Sequence, residues 1–240
     1  MPKISFVIPT RNRSKLVVEA LQSIQQQTET DWEAVVVDDH GSDDTQEAIA
    51  KLSDARIKYY RLPDNCGNGV ASARNYGNQL AQAELIAVLD SDDVCLPERA
   101  QLAVDSYDTH GWDFYSTNRI TEDMLTAERK SPSLPDEWDA EAFKTYSYVT
   151  HSSVVYTKKA ALEIPYNSAL PVLDDYDLIS RFMEAGKKMH LDPKAMTVIW
   201  RRHPATVTND SVSIQKAYLQ AIRHWRGWVK ENVDLSKLAK

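Results

Sequence analysis

The chain has 240 residues, of which 42% are hydrophobic and 26% charged, the balance of an ordinary globular protein. Its net charge of −7 argues against general nucleic-acid binding. The N-terminus begins with a strand-like pattern rather than a signal peptide, and no apolar run approaches the ~20 residues that span a bilayer. The two cysteines, Cys66 and Cys95, have no metal-type or redox-type spacing. We therefore expect a cytoplasmic protein without a disulfide framework.

The first 97 residues alternate between short apolar runs and helical periodicities. Strands are predicted at residues 4–8, 32–37, 56–62 and 85–89. Helices are predicted between them at residues 14–27, with Ser14 as the N-cap, and at 43–52 and 70–83. This alternation is typical of βαβ units, so we expect an α/β fold with a Rossmann-like, mostly parallel sheet flanked by helices.

Beyond residue 97 the pattern is less regular. Helices are predicted at residues 98–106, 173–185 and 212–231, and strands at 112–120, 152–156 and 198–200. The polar stretch 121–140 is expected to be a mobile loop. Residues 181–240 carry a charge of +7, which leaves −14 on residues 1–180. The basic end either faces an anionic partner, such as a phosphate-bearing acceptor or a membrane surface, or is simply solvated.

Three carboxylates, Asp90, Asp92 and Asp93, follow the apolar run at residues 85–89. Open parallel sheets bind ligands just past the carboxyl ends of such strands. Because side chains alternate in an extended segment, Asp90 and Asp92 are expected to point the same way, with Ser91 between them. Carboxylates at this spacing suit Mg²⁺ or Mn²⁺, which often bridge a protein to a diphosphate. The alternative is a solvated acidic turn.

A second acidic pair, Asp174 and Asp175, lies at the start of the predicted helix 173–185. The helix macrodipole favours carboxylates at this position, so helix capping is an alternative explanation for one of the two.

Four segments taken together resemble a known family. They are ISFVIPTRNR, VVVDDHGSDDT, GVASARNYGNQLAQAELIAVLDSDD and LDDYDLISR. In this order they resemble glycosyltransferase family 2, inverting enzymes with the GT-A fold, over about residues 3–205. The resemblance implies one GT-A domain over residues 1–210, with a nucleotide-binding half (about 1–97) and an acceptor half (about 98–210), followed by a helical tail at 211–240. It also implies metal-dependent transfer from a UDP-sugar or dTDP-sugar to a hydroxyl acceptor.

The family's donor site is carried over residue by residue. By resemblance, the nucleotide-binding residues are Pro9, Thr10, Arg11, Asp39, Arg74, Asp90 and Ser91. Asp39 would accept a hydrogen bond from a pyrimidine ring N–H, which favours uracil or thymine. Its neighbour Asp38 has a competing role in capping the following turn. Arg74 either faces the nucleotide or its phosphates, or is a surface helix arginine.

The family's metal and acceptor sites are carried over in the same way. Asp92 is expected to bind Mn²⁺ or Mg²⁺ directly, while Asp90 contacts the metal or the ribose. His203, in RRHP, either approaches the diphosphate or the metal, or is structural. Asp175 is assigned as the general base, with a pKa raised by like charge and partial burial, and Asp174 orients the acceptor or holds Asp175. The acceptor implied is a saccharide or lipid-linked saccharide, in surface polysaccharide or lipid-linked glycan synthesis.

Two other functions are weighed against this one. A sugar nucleotidyltransferase should carry a glycine-rich loop after its first strand, and PTRNR has no glycine. A non-catalytic nucleotide- or glycan-binding module would have no need of both acidic clusters.

Overall fold

A computed structural model describes residues 1–170, 172–204, 222–223 and 226–227. The strands are β1 (Ile4–Thr10), β2 (Trp32–Asp38), β3 (Ile57–Arg61), β4 (Leu85–Val88), β5 (Val94–Cys95), β6 (Phe114–Asp123), β7 (Arg129–Lys130), β8 (Val155–Thr157) and β9 (Met189–Arg202). The α-helices are α1 (Ser14–Gln25), α2 (Thr45–Ala50), α3 (Val70–Leu80), α4 (Arg99–His110), α5 (Ala140–Thr145), α6 (Lys158–Glu163) and α7 (Asp174–Glu184). Within these residues no helix is long and apolar enough to cross a membrane.

The strands form one sheet in the order β3-β2-β1-β4-β8-β6-β9-β5, with β7 paired to β6. Strands β1 to β4 are mutually parallel, and β6 and β9 are parallel to each other. Strand β8 joins these two groups through antiparallel pairs with β4 and β6. The predicted α/β fold with a mostly parallel central sheet and flanking helices is therefore confirmed.

The central strands are buried on both faces, because hydrophobic clusters lie above and below the sheet. In β1, Val7 belongs to one cluster, whereas Phe6 and Ile8 belong to the other. Helix α3 lies directly on this strand, since a Cβ placed on Gly77 would be only 2.5 Å from Cγ1 of Val7. This close packing holds α3, which carries Arg74, against the strands whose ends form the cleft.

Some predicted elements differ from the structure. The predicted short strand 198–200 is part of the 14-residue strand β9, which gains its length by pairing with β6. The expected loop 121–140 contains the end of β6 and the strand β7. Ser14 is the first residue of α1 and not its N-cap, and its N–H donates to the carboxylate of Asp43, 3.1 Å away. The helix predicted at 212–231 lies outside the described residues, apart from 222–223 and 226–227.

Candidate active site

A cleft of about 540 Å³ opens at the carboxyl ends of β1, β2 and β4. Its lining includes the following residues predicted for the site: Pro9, Thr10, Arg11, Asp39, Arg74, Asp90, Ser91, Asp92, Asp174 and Asp175. The remaining predicted residue, His203, contacts Asp92, with 3.0 Å between its Nε2 and Oδ2 of the carboxylate. The fold thus brings together two acidic clusters that are more than 80 residues apart in the sequence.

The turn after β2 separates the roles of two adjacent carboxylates. Asp38 is buried, and it accepts hydrogen bonds from the N–H of Gly41 and the hydroxyl of Tyr59, both at 2.7 Å. Asp38 therefore holds the turn, as its competing role predicted. Asp39 lines the cleft, where its Oδ2 accepts from the N–H of Gly69 at 3.0 Å and lies 3.6 Å from Nη1 of Arg11.

The three carboxylates after β4 have different surroundings. Asp93 is turned into the protein, where it accepts from the hydroxyl of Ser152 and from the N–H of Arg201. Burial and the neighbouring carboxylates raise the pKa of Asp93 well above its usual value. Asp92 faces the cleft, and its Oδ2 lies 2.7 Å from Nη1 of Arg13 as well as 3.0 Å from Nε2 of His203.

Arg74 joins the two acidic clusters. Its guanidinium is 2.6 Å from Asp90 through Nη2 and 2.6 Å from Asp174 through Nη1. The residue is only 5% exposed, so the alternative of a surface helix arginine is wrong. Burial opposes ionisation of Asp90, but the charge and hydrogen bond of Arg74, together with the nearby His151 and Arg13, lower the pKa of this carboxyl below its ordinary value.

Asp174 and Asp175 occupy the first turn of α7, but only one of them resembles a helix-capping residue. Asp175 accepts a hydrogen bond from the N–H of Tyr176 at 2.7 Å, whereas Asp174 is buried and paired with Arg74. Burial, and then the negative charge of Asp174, raise the pKa of Asp175 to about 6. A carboxylate with this pKa can accept a proton efficiently near neutral pH.

A metal ion at this site would need ligands from the substrate as well as from the protein. Within the described part of the chain, no three His, Cys, Asp or Glu side chains are grouped closely enough to hold one. Asp92 and His203 nevertheless place a carboxylate oxygen and an imidazole nitrogen 3.0 Å apart, close enough for both to bind one cation. This oxygen-and-nitrogen pair suits Mn²⁺ and leaves positions for phosphate oxygens and water.

Several residues that line the cleft were not predicted as site residues from the sequence. They are Arg13, Val70, His151, Val172, Leu173 and Trp200. Near His203 in the sequence, Arg201 is buried and bonded to the carbonyl of Asp92 and to Glu19. Arg201 therefore fastens β9 to the acidic loop and to α1. The position of Arg13 in the loop after the first strand could have indicated that it lies at the cleft. Its contact with Asp92 could not be predicted, because the two residues are 79 positions apart in the sequence.

The fold and this cleft define a protein of the GT-A class. Among solved structures, Staphylococcus aureus TarS (residues 1–349) in complex with UDP-GlcNAc has a TM-score of 0.72 at 19% identity, over 92% of this chain and 66% of that one. The mannosyltransferase PcManGT from Pyrobaculum calidifontis, in complex with GDP-Man and Mn²⁺, has a TM-score of 0.69 at 13% identity, over 99% and 68%.

Sequence comparison identifies the family. The family model for glycosyl transferase family 2 matches residues 5–170, so the chain belongs to this family. The chain is 29% identical over 210 residues to the succinoglycan biosynthesis protein ExoO of Rhizobium meliloti (strain 1021). The aligned region covers 81% of this chain and 60% of that protein. It is 42% identical over 98 residues to GalNAc(5)-diNAcBac-PP-undecaprenol beta-1,3-glucosyltransferase of Campylobacter jejuni. That aligned region covers 40% of this chain and 31% of the relative. This chain therefore spans less than two thirds of the length of either relative.

Proposed function

We propose that this protein transfers a hexose from a UDP-sugar to a hydroxyl acceptor with inversion, assisted by Mn²⁺ or Mg²⁺. The observation that carries the proposal is the meeting of two acidic clusters in one cleft, where Arg74 bridges Asp90 and Asp174 at 2.6 Å each. One cluster can serve a diphosphate and its cation, and the other can serve an incoming alcohol. A binding module would not need a carboxylate whose pKa is raised to about 6, as that of Asp175 is.

The nucleotide would lie over the ends of β1 and β2. Asp39 can accept a hydrogen bond from the ring N–H of uracil, and the same contact would admit thymine. The hydroxyl of Thr10 is buried and has no hydrogen-bond partner among the described residues, so it is available to the nucleotide. The UDP-GlcNAc complex of TarS supports a uridine donor. Arg11 is an exposed cation at this end of the cleft, and its guanidinium would pair with the negatively charged phosphates of the nucleotide.

Asp92 and His203 would hold the divalent ion, with Asp90 beside it. When bound, such an ion neutralises the negative charge that develops on the departing diphosphate. Arg13, already at Asp92, lies where it can contact the same phosphates. The Mn²⁺ in the PcManGT complex supports this choice of metal.

Asp175 would act as the general base. Its carboxylate takes the proton of the acceptor hydroxyl while the hydroxyl oxygen forms a bond to the anomeric carbon. The bond from that carbon to the diphosphate oxygen breaks, and the diphosphate leaves with the electron pair. A single displacement of this kind inverts the configuration, because no covalent glycosyl-enzyme is formed. Asp174, held by Arg74, raises the basicity of Asp175 through its negative charge.

The acceptor would be a saccharide or a lipid-linked saccharide in glycan synthesis. The undecaprenol-linked substrate in the name of the Campylobacter jejuni relative supports a lipid-linked one. The charge of +7 on residues 181–240 supports contact with the pyrophosphate of such an acceptor or with an anionic membrane surface. We also propose that residues 1–210 form the single catalytic domain, with the acceptor half beginning near residue 98.

The test is a panel of UDP-sugars and dTDP-sugars with Mn²⁺ or Mg²⁺, read out as nucleotide release and as binding by calorimetry. Asp175→Asn should lose about 100- to 10,000-fold in turnover while UDP affinity stays within about twofold. Asp108→Asn, an exposed carboxylate on α4 outside the cleft lining, is the matched control and should match wild type. Absence of both binding and turnover across the whole panel would refute the proposal.

A further inference from the structure

His151 is a buried histidine in the wall of the cleft. It begins a short 3₁₀ turn, His151–Ser153, and is 7% exposed. The next residue, Ser152, fixes this turn to the acidic loop, because its hydroxyl donates to Asp93 and accepts from the N–H of Asp90 at 3.1 Å. The imidazole is therefore held beside Asp90.

A hydrogen-bond chain behind His151 determines which ring nitrogen carries the proton. The hydroxyl of Tyr156 donates to Oδ1 of Asn78 at 3.1 Å, so its oxygen accepts from the hydroxyl of Tyr166 at 3.1 Å. Tyr166 has then used its only proton, and its oxygen must accept from Nε2 of His151 at 2.8 Å. With the proton on Nε2, a neutral imidazole presents a lone pair on Nδ1.

Nδ1 of His151 is unsatisfied. It is buried, and it has no hydrogen-bond partner among the described residues. Burial, together with the nearby positive charge of Arg74, lowers the pKa of His151 well below its ordinary value, so the ring stays neutral. A buried acceptor without a donor is unfavourable, and such groups in native proteins commonly await a ligand or water.

The position of His151 indicates which ligand would supply the donor. It shares the cleft with Asp90 and Asp175, which the proposed function assigns to the diphosphate and to the acceptor. The anomeric carbon has to lie between these two carboxylates, so the sugar ring occupies this part of the cleft. Sugar hydroxyls are the donors that a neutral imidazole lone pair recognises.

We infer, building on the proposed function, that Nδ1 of His151 accepts a hydrogen bond from one hydroxyl of the transferred sugar and so selects among donors. Tyr166 is a positioning residue in this arrangement, because it fixes the tautomer without touching the sugar. A site built around a substrate hydroxyl discriminates strongly against analogues that lack it.

The experiment uses the donor that wild type turns over best, with analogues deoxygenated or fluorinated at each ring hydroxyl. At the ring position whose hydroxyl donates to Nδ1, the deoxygenated and the fluorinated analogue should each lower kcat/KM of wild type by about 10- to 100-fold. Fluorine can accept a hydrogen bond but cannot donate one. A fluorinated analogue that is tolerated where the deoxygenated one is rejected would overturn the assignment of Nδ1 as acceptor.

Two matched substitutions locate the effect on Nδ1. His151→Gln keeps a polar group near Nε2 but removes the acceptor at Nδ1, so the penalty at that position should fall below about threefold. His151→Asn keeps an acceptor near Nδ1 and should retain most of the penalty. An equal penalty in wild type and His151→Gln would refute the inference.

Tyr166→Phe gives an independent check that leaves the imidazole in place. Without the hydroxyl, the proton is no longer fixed on Nε2, so the fluorinated analogue should regain activity relative to the deoxygenated one. UDP affinity should be close to wild type in all three variants, and each should still unfold in one cooperative transition, which would show that they are folded even where a lost buried hydrogen bond lowers the unfolding temperature. A wild-type protein that turns over no donor would refute the proposed function and this inference with it, whereas normal turnover with unchanged analogue preferences in His151→Gln and Tyr166→Phe would refute the inference alone.

Discussion

The pH dependence of transfer tests the role of Asp175. Its pKa is raised to about 6 by burial and by Asp174, and a general base must be unprotonated to act. We expect kcat/KM to rise with pH through about 6 and to level off above 7. At pH 5 about one tenth of the carboxyl is ionised, so kcat/KM should be about tenfold below the plateau.

Two substitutions separate this carboxyl from other titrating groups. Asp175→Asn should remove the acidic limb and lower the plateau by about 100- to 10,000-fold. Asp174→Asn should keep the limb but move it to lower pH, because the negative charge of Asp174 raises the pKa of its neighbour. Nucleotide release is measured from pH 5 to 8 at saturating Mn²⁺, with UDP affinity measured at each pH to separate binding from chemistry. A limb that persists unchanged in Asp175→Asn would refute the assignment.

The same raised pKa has a consequence for stability. A carboxyl whose pKa is higher in the folded state destabilises the fold above its unfolded pKa, because its ionised form is disfavoured by folding. Asp175→Asn should therefore be more stable than wild type at pH 7.5, by about 1–2 kcal/mol after allowance for partial exposure, and equal to it near pH 3. A destabilised variant at pH 7.5 in urea unfolding would contradict the raised pKa.

Three further predictions follow from individual contacts. Arg74→Ala should lower the free energy of unfolding by about 3–5 kcal/mol at pH 7.5, because it leaves two carboxylates without their partner. The loss should be smaller at pH 4, because in the variant burial raises the pKa of Asp90 unopposed by Arg74, so this carboxyl can bind a proton. Urea unfolding at both pH values checks this. Gly77→Ala should cost about 1–3 kcal/mol in the same assay, since its Cβ would lie 2.5 Å from a methyl carbon of Val7. Asp92→Asn and His203→Gln should each weaken the effect of Mn²⁺ on UDP affinity by about 10- to 100-fold in calorimetry, and affinities equal to wild type would exclude them as ligands.

The first four strands could be predicted because their signals are local. The apolar runs of β1, β2 and β4 are buried on both faces, and each ends on polar residues at the same edge of the sheet. Asp90 and Asp92 both line the cleft, but not through the expected alternation, because β4 ends at Val88 and the following residues form a turn in which Ser91 lines the cleft as well. The family motifs then connected this cluster with Asp175, which no local pattern could have done.

What could not be predicted depends on contacts between distant residues. Strand β9 exists because β6 pairs with it, although Pro193 and polar residues interrupt its apolar pattern. The side chain of Arg13 is positioned by Asp92, and that of His151 by Tyr166. Neither pair has a sequence spacing that would indicate the contact. The structural role of Arg201 likewise depends on its bonds to Asp92 and Glu19, which lie more than 100 residues away in the sequence.

The charges in the cleft explain why metal and nucleotide should bind as a pair. Five carboxylates line it, against three guanidiniums: Asp39, Asp90, Asp92, Asp174, Asp175, Arg11, Arg13 and Arg74. Arg74 is committed to two of the carboxylates, so a diphosphate entering alone would meet an excess of negative charge. A divalent ion at Asp92 would cancel this excess and would free Arg13 to face the phosphates. Because such coupling is reciprocal, UDP must strengthen the binding of the ion by the same factor as the ion strengthens the binding of UDP.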